Sequence, residues 1–264
     1  MSRTLLLTLR YDGGRYHGWQ VQQNAVTVQE AFQNALGDLL GDRPDLKACS
    51  RTDTGVHADM FCVSFETDSR IPCKQFPQAL NMRLPRDIAV YGCRQVEEGF
   101  HARYHCLGKR YLYQILNTQQ RNPFYEGRAL HYRYPLDEKM LHKAAQQYIG
   151  RHDFSGFCSY KSTVEDTVRT VSHCSVKREG DVVTFSVQAD GFLYNMVRIM
   201  VGTLLRIAQG KFSPDCIPVI LKSKDRALAG PTAPAEGLYL NRVFYPFDPL
   251  DDKGTASVLG KGSE

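Results

Sequence analysis

The chain has 264 residues, of which 42% are hydrophobic and 23% charged, and a formal net charge of +5. That length accommodates one large or two modest domains, and the apolar content suffices for a sizeable core, which excludes a wholly disordered chain. The most apolar long stretch, Gly191 to Ala208, is interrupted by Asn195, Arg198 and Arg206, so no transmembrane helix is predicted. The run Leu5-Leu6-Leu7 is too short for a signal-peptide core and leads into Arg10.

The first predicted strand is Thr4–Tyr11, followed by a loop from Asp12 to Gln20. Thr27 stands three residues before Glu30, the spacing of a capping box, and opens a helix. Val28, Ala31, Phe32, Ala35, Leu36, Leu39 and Leu40 form its apolar stripe, and Gly41-Asp42-Arg43-Pro44 ends it. Strands are predicted at Leu46–Arg51, Met60–Thr67 and Ile88–Val96, with a helix over Lys74–Met82 that carries Pro77 in its first turn. The order β-α-β-β-α-β is ferredoxin-like.

The second half is a looser copy of this order. Arg110–Asn117 alternates like a strand, and Asp137–Ile149 reads as a helix stopped by Gly150. Arg169–Lys177 and Val182–Gln188 read as strands joined by Glu179-Gly180-Asp181. Leu193 to Ala208 is a long buried helix, Ser213-Pro214 opens another, and Leu240–Tyr245 is a last strand. The expected class is α+β: two ferredoxin-like-ordered βα units, residues 1–104 and 105–248, with mixed, mainly antiparallel sheets. Gly, Ser and charge dominate the stretch from 249 to 264, for which disorder is expected.

The eight cysteines are at least eleven residues apart, which excludes a zinc ribbon or knuckle. With no secretory signal, free thiols in a reducing cytoplasm are expected. His101 and His105 are spaced as helical metal ligands, but their stretch does not read as a helix. Gly13-Gly14 and Gly18 lack the Gly-Lys-Ser/Thr of a P-loop.

Charge is uneven. Between Gly99 and Leu136 stand six cations, Arg103, Lys109, Arg110, Arg121, Arg128 and Arg133, with Glu126 as the single acid and six interleaved tyrosines. Cations that bind phosphates and rings that stack on bases compose a nucleic-acid surface; a solvated basic face with core tyrosines is the alternative. Asp53 followed by Gly55 makes a turn, with Asp accepting a local backbone bond and Gly supplying positive φ. The same turn presents a carboxylate beside Arg51, which favours its ionised form or holds a phosphate near it. Arg198 lies off the apolar stripe of its helix, on the face of Asn195 and Gly202; its partner is Asp190 or Asp53 if it is buried, and solvent or a helix-end carbonyl if its stem snorkels. Tyr111 and Tyr113 share a strand face, either as core or surface rings of a sheet or as a stacking ring able to move a proton.

Four blocks together resemble the tRNA pseudouridine synthase A family. They are Tyr11-Asp12-Gly13-Gly14-Arg15-Tyr16-His17-Gly18-Trp19-Gln20 continuing to Thr27-Val28-Gln29; Arg51 to Ala58; Phe100-His101-Ala102-Arg103 with Tyr111 eleven residues after Phe100; and Phe192 to Gly202. Weaker matches are His152-Asp153-Phe154 and Ala229 to Leu238. Ser50 and Thr54 depart from the residues common there, and neither change touches a reacting group. The resemblance implies a pseudouridine-synthase-type core and a cytoplasmic, metal-free and cofactor-free homodimer. Its implied activity isomerises uridine to pseudouridine at positions 38–40 of the tRNA anticodon stem-loop. It further implies that Asp53 is the catalytic aspartate, Tyr111 the ring that stacks on the uracil, and Arg198 the partner of Asp53. Arg51 is expected to bind substrate, and Arg15, Arg103, Lys109, Arg110 and Arg121 to bind RNA. Two competing readings are an RNA-binding module without catalysis and a glycosidase pairing Asp53 with Asp59.

Overall fold

The computed structural model describes residues 2–160 and 164–251. Most of the stretch for which disorder is expected, from 252 on, lies outside the described residues. The described residues form two compact units: 2–107 together with 240–251, and those that fall within Gly108–Tyr239. Residues 240–251 thus belong with the first unit, whereas the sequence groups residues 105–248 together.

In the first unit, β1 (Arg3–Tyr11) lies between β3 (His57–Thr67) and β4 (Ile88–Val96), antiparallel to both. Leu5, Leu6, Leu7 and Leu9 are fully buried, as a central strand requires. Helix α1 (Val28–Leu40) starts as the capping box predicts: the Thr27 side chain accepts from the Glu30 amide, and Gly41 ends the helix in the left-handed region. Val28, Phe32, Ala35 and Leu36 are its buried face. The strand expected over Leu46–Arg51 shrinks to β2 (Lys47–Ala48), paired with β3. The helix expected over Lys74–Met82 splits into a 3-10 turn, Cys73–Gln75, and α2 (Phe76–Asn81). The last strand, β10 (Leu238–Phe244), lies beside β3.

In the second unit β5 (Gly108–Leu116), β9 (Val182–Ala189), β8 (Val168–Glu179) and β7 (Gly150–Asp153) form an antiparallel succession. Only β6 (Leu130–His131) is parallel to its neighbour β5 among these pairs of described residues. Helix α3 (Glu138–Ala145) is capped by Asp137 and tightens into a 3-10 turn over Gln146–Tyr148. Helix α4 (Met196–Ala208) buries Met196, Val197, Ile199, Met200, Val201, Leu204 and Ile207, and α5 spans Cys216–Ser223. The class is mixed α and β with mainly antiparallel pairing, as expected. No helix of the described residues is long and apolar enough to cross a membrane.

Candidate active site

Asp53 stands between β2 and β3 on a turn closed by its own carbonyl, which accepts from Val56 N at 3.1 Å, with Gly55 at φ +78°. This is the turn that Asp53 and Gly55 predict. The loop between β1 and α1 fixes it. Trp19 N donates to Thr52 O at 3.1 Å, and Gly55 N to Tyr16 O at 3.2 Å. The Tyr11 hydroxyl lies 2.8 Å from Thr52 Oγ1, and Gly13 N donates to Nδ1 of buried His57 at 3.0 Å.

The two backbones touch because glycines leave room. A Cβ on Gly18, itself at φ +83°, would lie 2.4 Å from Thr52 O, and one on Gly13 would lie 2.0 Å from Val56 O. Beneath them Trp19 stacks on Phe61 at 4.2 Å. Asp87 ties down the far side of the loop: its Oδ1 accepts from the Tyr16 hydroxyl at 2.6 Å, and its Oδ2 pairs with Arg15 Nε at 3.1 Å. Burial, and then this bond to Asp87, push the Tyr16 phenol well above its ordinary range. The outcome is a half-buried Asp53 on a connection locked by backbone bonds, with Arg51 exposed beside it. Gly13 and Gly18, which form no P-loop, act as the close-approach positions of this clamp.

In the second unit, Tyr111 on β5 is 7% exposed and meets Phe192 edge-on at 4.9 Å. Tyr113, two residues on, is fully buried; its hydroxyl donates to Pro234 O at 2.8 Å, and burial raises its pKa. Tyr113 therefore takes the core role that the sequence left open for the pair.

Arg198 is half-buried in the first turn of α4. Its Nε donates to Ala233 O at 2.7 Å, and its own carbonyl accepts from Ala233 N at 3.1 Å. Its Nη1 donates to Asn195 Oδ1 at 3.0 Å, while Asn195 Nδ2 donates to Ser159 Oγ at 2.9 Å. Asn195 caps α4 with φ +60°, a left-handed conformation that asparagine tolerates better than most residues. That conformation starts the helix at Met196, three residues later than the predicted Leu193. The 229–233 segment rests directly on α4: a Cβ on Gly202 would stand 1.7 Å from Pro231 O. Asp190, one partner considered for Arg198, uses Oδ1 to accept from Thr170 N at 3.0 Å.

The basic aromatic segment is divided between the units. Arg103 and Arg121 are exposed, Lys109 is half-exposed, and Arg110 donates to Gln188 Oε1 across the β5–β9 pair at 2.9 Å. Arg133 lies over the exposed Tyr134 ring at 4.9 Å. The His101 amide donates to His105 Nδ1 at 3.0 Å, and no group of three His, Cys, Asp or Glu among the described residues could hold a metal ion. Asp59, the second carboxylate of the glycosidase reading, is exposed and accepts from Asn241 Nδ2 at 2.9 Å.

The chain is similar to known proteins over most of its length. A family model described as tRNA pseudouridine synthase matches residues 8–105 and 144–246. These stretches include Asp53 and Arg198, and Tyr111 falls in the interval between them. A tRNA pseudouridine synthase A from Thermoanaerobacter sp. (strain X514) is 46% identical over 243 residues, covering 92% of this chain and 100% of the relative. The protein of the same name from Acetivibrio thermocellus gives the same identity and coverage. The one from Staphylococcus aureus (strain MRSA252) is 42% identical over 240 residues, 91% of each chain. On this evidence the chain belongs to the tRNA pseudouridine synthase family, a family of isomerases.

Proposed function

We propose that the protein converts uridine to pseudouridine in tRNA, at positions 38–40 of the anticodon stem-loop, with Asp53 as the essential carboxylate. The observation that carries this reading is the clamp on the Asp53 turn. A carboxylate on a connection held by several backbone bonds is preorganised, and preorganised charge costs little to orient during reaction.

The chemistry sets the parts needed. The N1–C1′ bond breaks, the uracil turns, C5 bonds to C1′, the C5 proton leaves and N1 ends protonated. Nothing is oxidised or reduced, so the reaction needs no redox cofactor, and a carboxylate, an aromatic ring and a fixed cation suffice as its acid–base and electrostatic groups. Asp53 attacks C1′ as nucleophile or takes the C2′ proton, and both roles require its ionised form. Arg198, anchored by Ala233 and Asn195, supplies a fixed positive charge that favours that form. Tyr111, its plane set by Phe192, is the ring beside the detached uracil and the phenol that moves the C5 proton. Arg51 binds near the target phosphate, and Arg15, Arg103, Lys109, Arg110 and Arg121 contribute to the RNA surface. The protein works as a cytoplasmic homodimer, in the reducing compartment that suits cysteines kept as thiols.

The test is mapping of pseudouridines in unmodified tRNA after incubation with the protein. Pseudouridine confined to positions 38–40, with no free uracil, is the expected result. Modification elsewhere would overturn the site assignment, and released uracil would favour a glycosidase. Stable RNA binding without any product would leave only a binding module.

A further inference from the structure

The second unit holds an open cavity of about 550 Å³ whose lining includes Asn195, the anchor of Arg198, but none of Asp53, Tyr111 and Arg198 themselves. Ser159, Tyr160, Tyr194, Asn195 and Arg226 line it, and Ala229–Pro231 closes one wall. Small-ligand sites run from roughly 300 to 1,000 Å³, so the volume suits one nucleotide.

Its chemistry is selective. Two large aromatic rings border it in contact with solvent, Tyr160 at 79% exposure and Tyr194 at 45%. Rings left this open offer π-faces on which any base can stack. No carboxylate is among the lining residues. Arg226 forms no ion pair among the described residues; its Nη1 donates to Ala229 O at 3.4 Å, a long bond that leaves the fork available to an anion. The Ser159 hydroxyl accepts from Asn195 Nδ2 and keeps its own hydrogen to donate.

The wall is also firm. Gly230 N donates to Thr203 Oγ1 at 2.9 Å, and a Cβ on Gly230 would stand 2.4 Å from Thr203 N. Cation, aromatic faces and a hydroxyl donor without an opposing acid match a nucleotide of single-stranded RNA better than a neutral metabolite or an acidic peptide.

We propose that this cavity is an RNA subsite that takes one nucleotide of the substrate other than the target uridine. The base stacks on the Tyr160 or Tyr194 ring, and the phosphate pairs with Arg226. The inference deepens the tRNA reading above and rests on it for the identity of the RNA.

The experiment is fluorescence anisotropy of a labelled anticodon stem-loop RNA with the full chain and with Tyr160→Ala, Tyr160→Phe and Arg226→Ala. Tyr160→Ala and Arg226→Ala should each raise Kd by about tenfold, and Tyr160→Phe, which keeps the ring, should restore binding. Arg226→Ala should also lower the slope of log Kd against log salt by about one. These side chains are partly or largely exposed, so melting temperatures should not move. Unchanged Kd values with both alanine variants would overturn the subsite. Weaker binding that tracks loss of protomer association in sedimentation would assign the cavity to a second copy and overturn it too. Weaker binding to RNA that the wild-type protein does not modify would leave the subsite standing and remove the catalytic reading instead.

Discussion

The two units hold their candidate groups by different means. Asp53 is carried on a connection whose position is set by backbone meeting backbone: Trp19 on Thr52, Gly55 on Tyr16, with Gly13 and Gly18 allowing the approach. Arg198 is carried on a helix and is aimed by the hydrogen bonds its side chain donates, to Ala233 O on one side and to Asn195 Oδ1 on the other. A carboxylate on a short stem is placed by placing its loop. A guanidinium on a long stem needs its tip held, because a placed Cα still leaves several torsions free. The first device is sensitive to any added Cβ, and the second to loss of a single acceptor.

That contrast can be broken by substitution. The largest effect is expected from Arg198→Met, which removes the charge and its bonds. Pseudouridine formation should fall by at least about a hundredfold, the scale seen when one preorganised electrostatic group is lost. Stability should fall by about 3 kcal/mol, as hydrogen bonds from a charged group are forfeited. An unchanged melting temperature would mean that these bonds contribute nothing to the fold.

Gly18→Ala should cost about 2–3 kcal/mol, combining a left-handed backbone with a Cβ driven into Thr52 O. Denaturant unfolding measures it. A loss below about 0.5 kcal/mol, the ordinary scale for a surface change, would show that the clamp yields freely. Asn195→Gly separates tip from backbone in the second unit. Glycine keeps the left-handed φ but drops the amide, so stability should fall by only about 1 kcal/mol while turnover drops about tenfold. Asn195→Asp, which retains an acceptor for Arg198, should recover part of that rate. Equal rates for the Gly variant and the wild type would remove Asn195 as a positioning residue.

The smallest effect concerns Asp153 at the end of β7. Burial opposes its ionisation, but bonds from Thr167 Oγ1 at 2.6 Å and Lys224 Nζ at 2.9 Å, with the Ser155 amide, hold its pKa well below the usual carboxylate range. A depressed folded pKa means stability that is present above the ordinary carboxylate pKa near ~4 and lost as pH falls below it. Asp153→Asn should therefore destabilise the protein at neutral pH and converge on the wild type in acid. A difference independent of pH would show that the charge is not what stabilises.

Much of this arrangement is legible in the residues themselves. Thr27, Glu30 and the Val28–Leu40 stripe specify α1 because cap and periodicity are local. Asp53 and Gly55 specify their turn for the same reason. What escapes is set by distant partners. β2 is cut to two residues because the ladder with β3 holds only at Lys47 and Ala48, opposite Ser64 and Val63, and ends with one further bond from Cys49 N to Cys62 O. Nothing in Leu240–Phe244 marks it as belonging to the first unit, since a strand's neighbours are chosen by packing. Gly13 and Gly18 read as ordinary loop glycines until Val56 and Thr52 are seen against them. The sequence places Asn195 on the face of Arg198 but does not mark its left-handed cap; an asparagine just ahead of an apolar helix stripe is the available signal.

The most direct measurement is single-turnover pseudouridine formation by Asp53→Asn, read alongside RNA affinity and melting temperature. The variant keeps size, turn and most hydrogen-bonding capacity while removing the charge. Product formation should disappear, with RNA binding and stability close to those of the unaltered protein. Pseudouridine made at the original rate would contradict the assignment of the chemistry to this carboxylate.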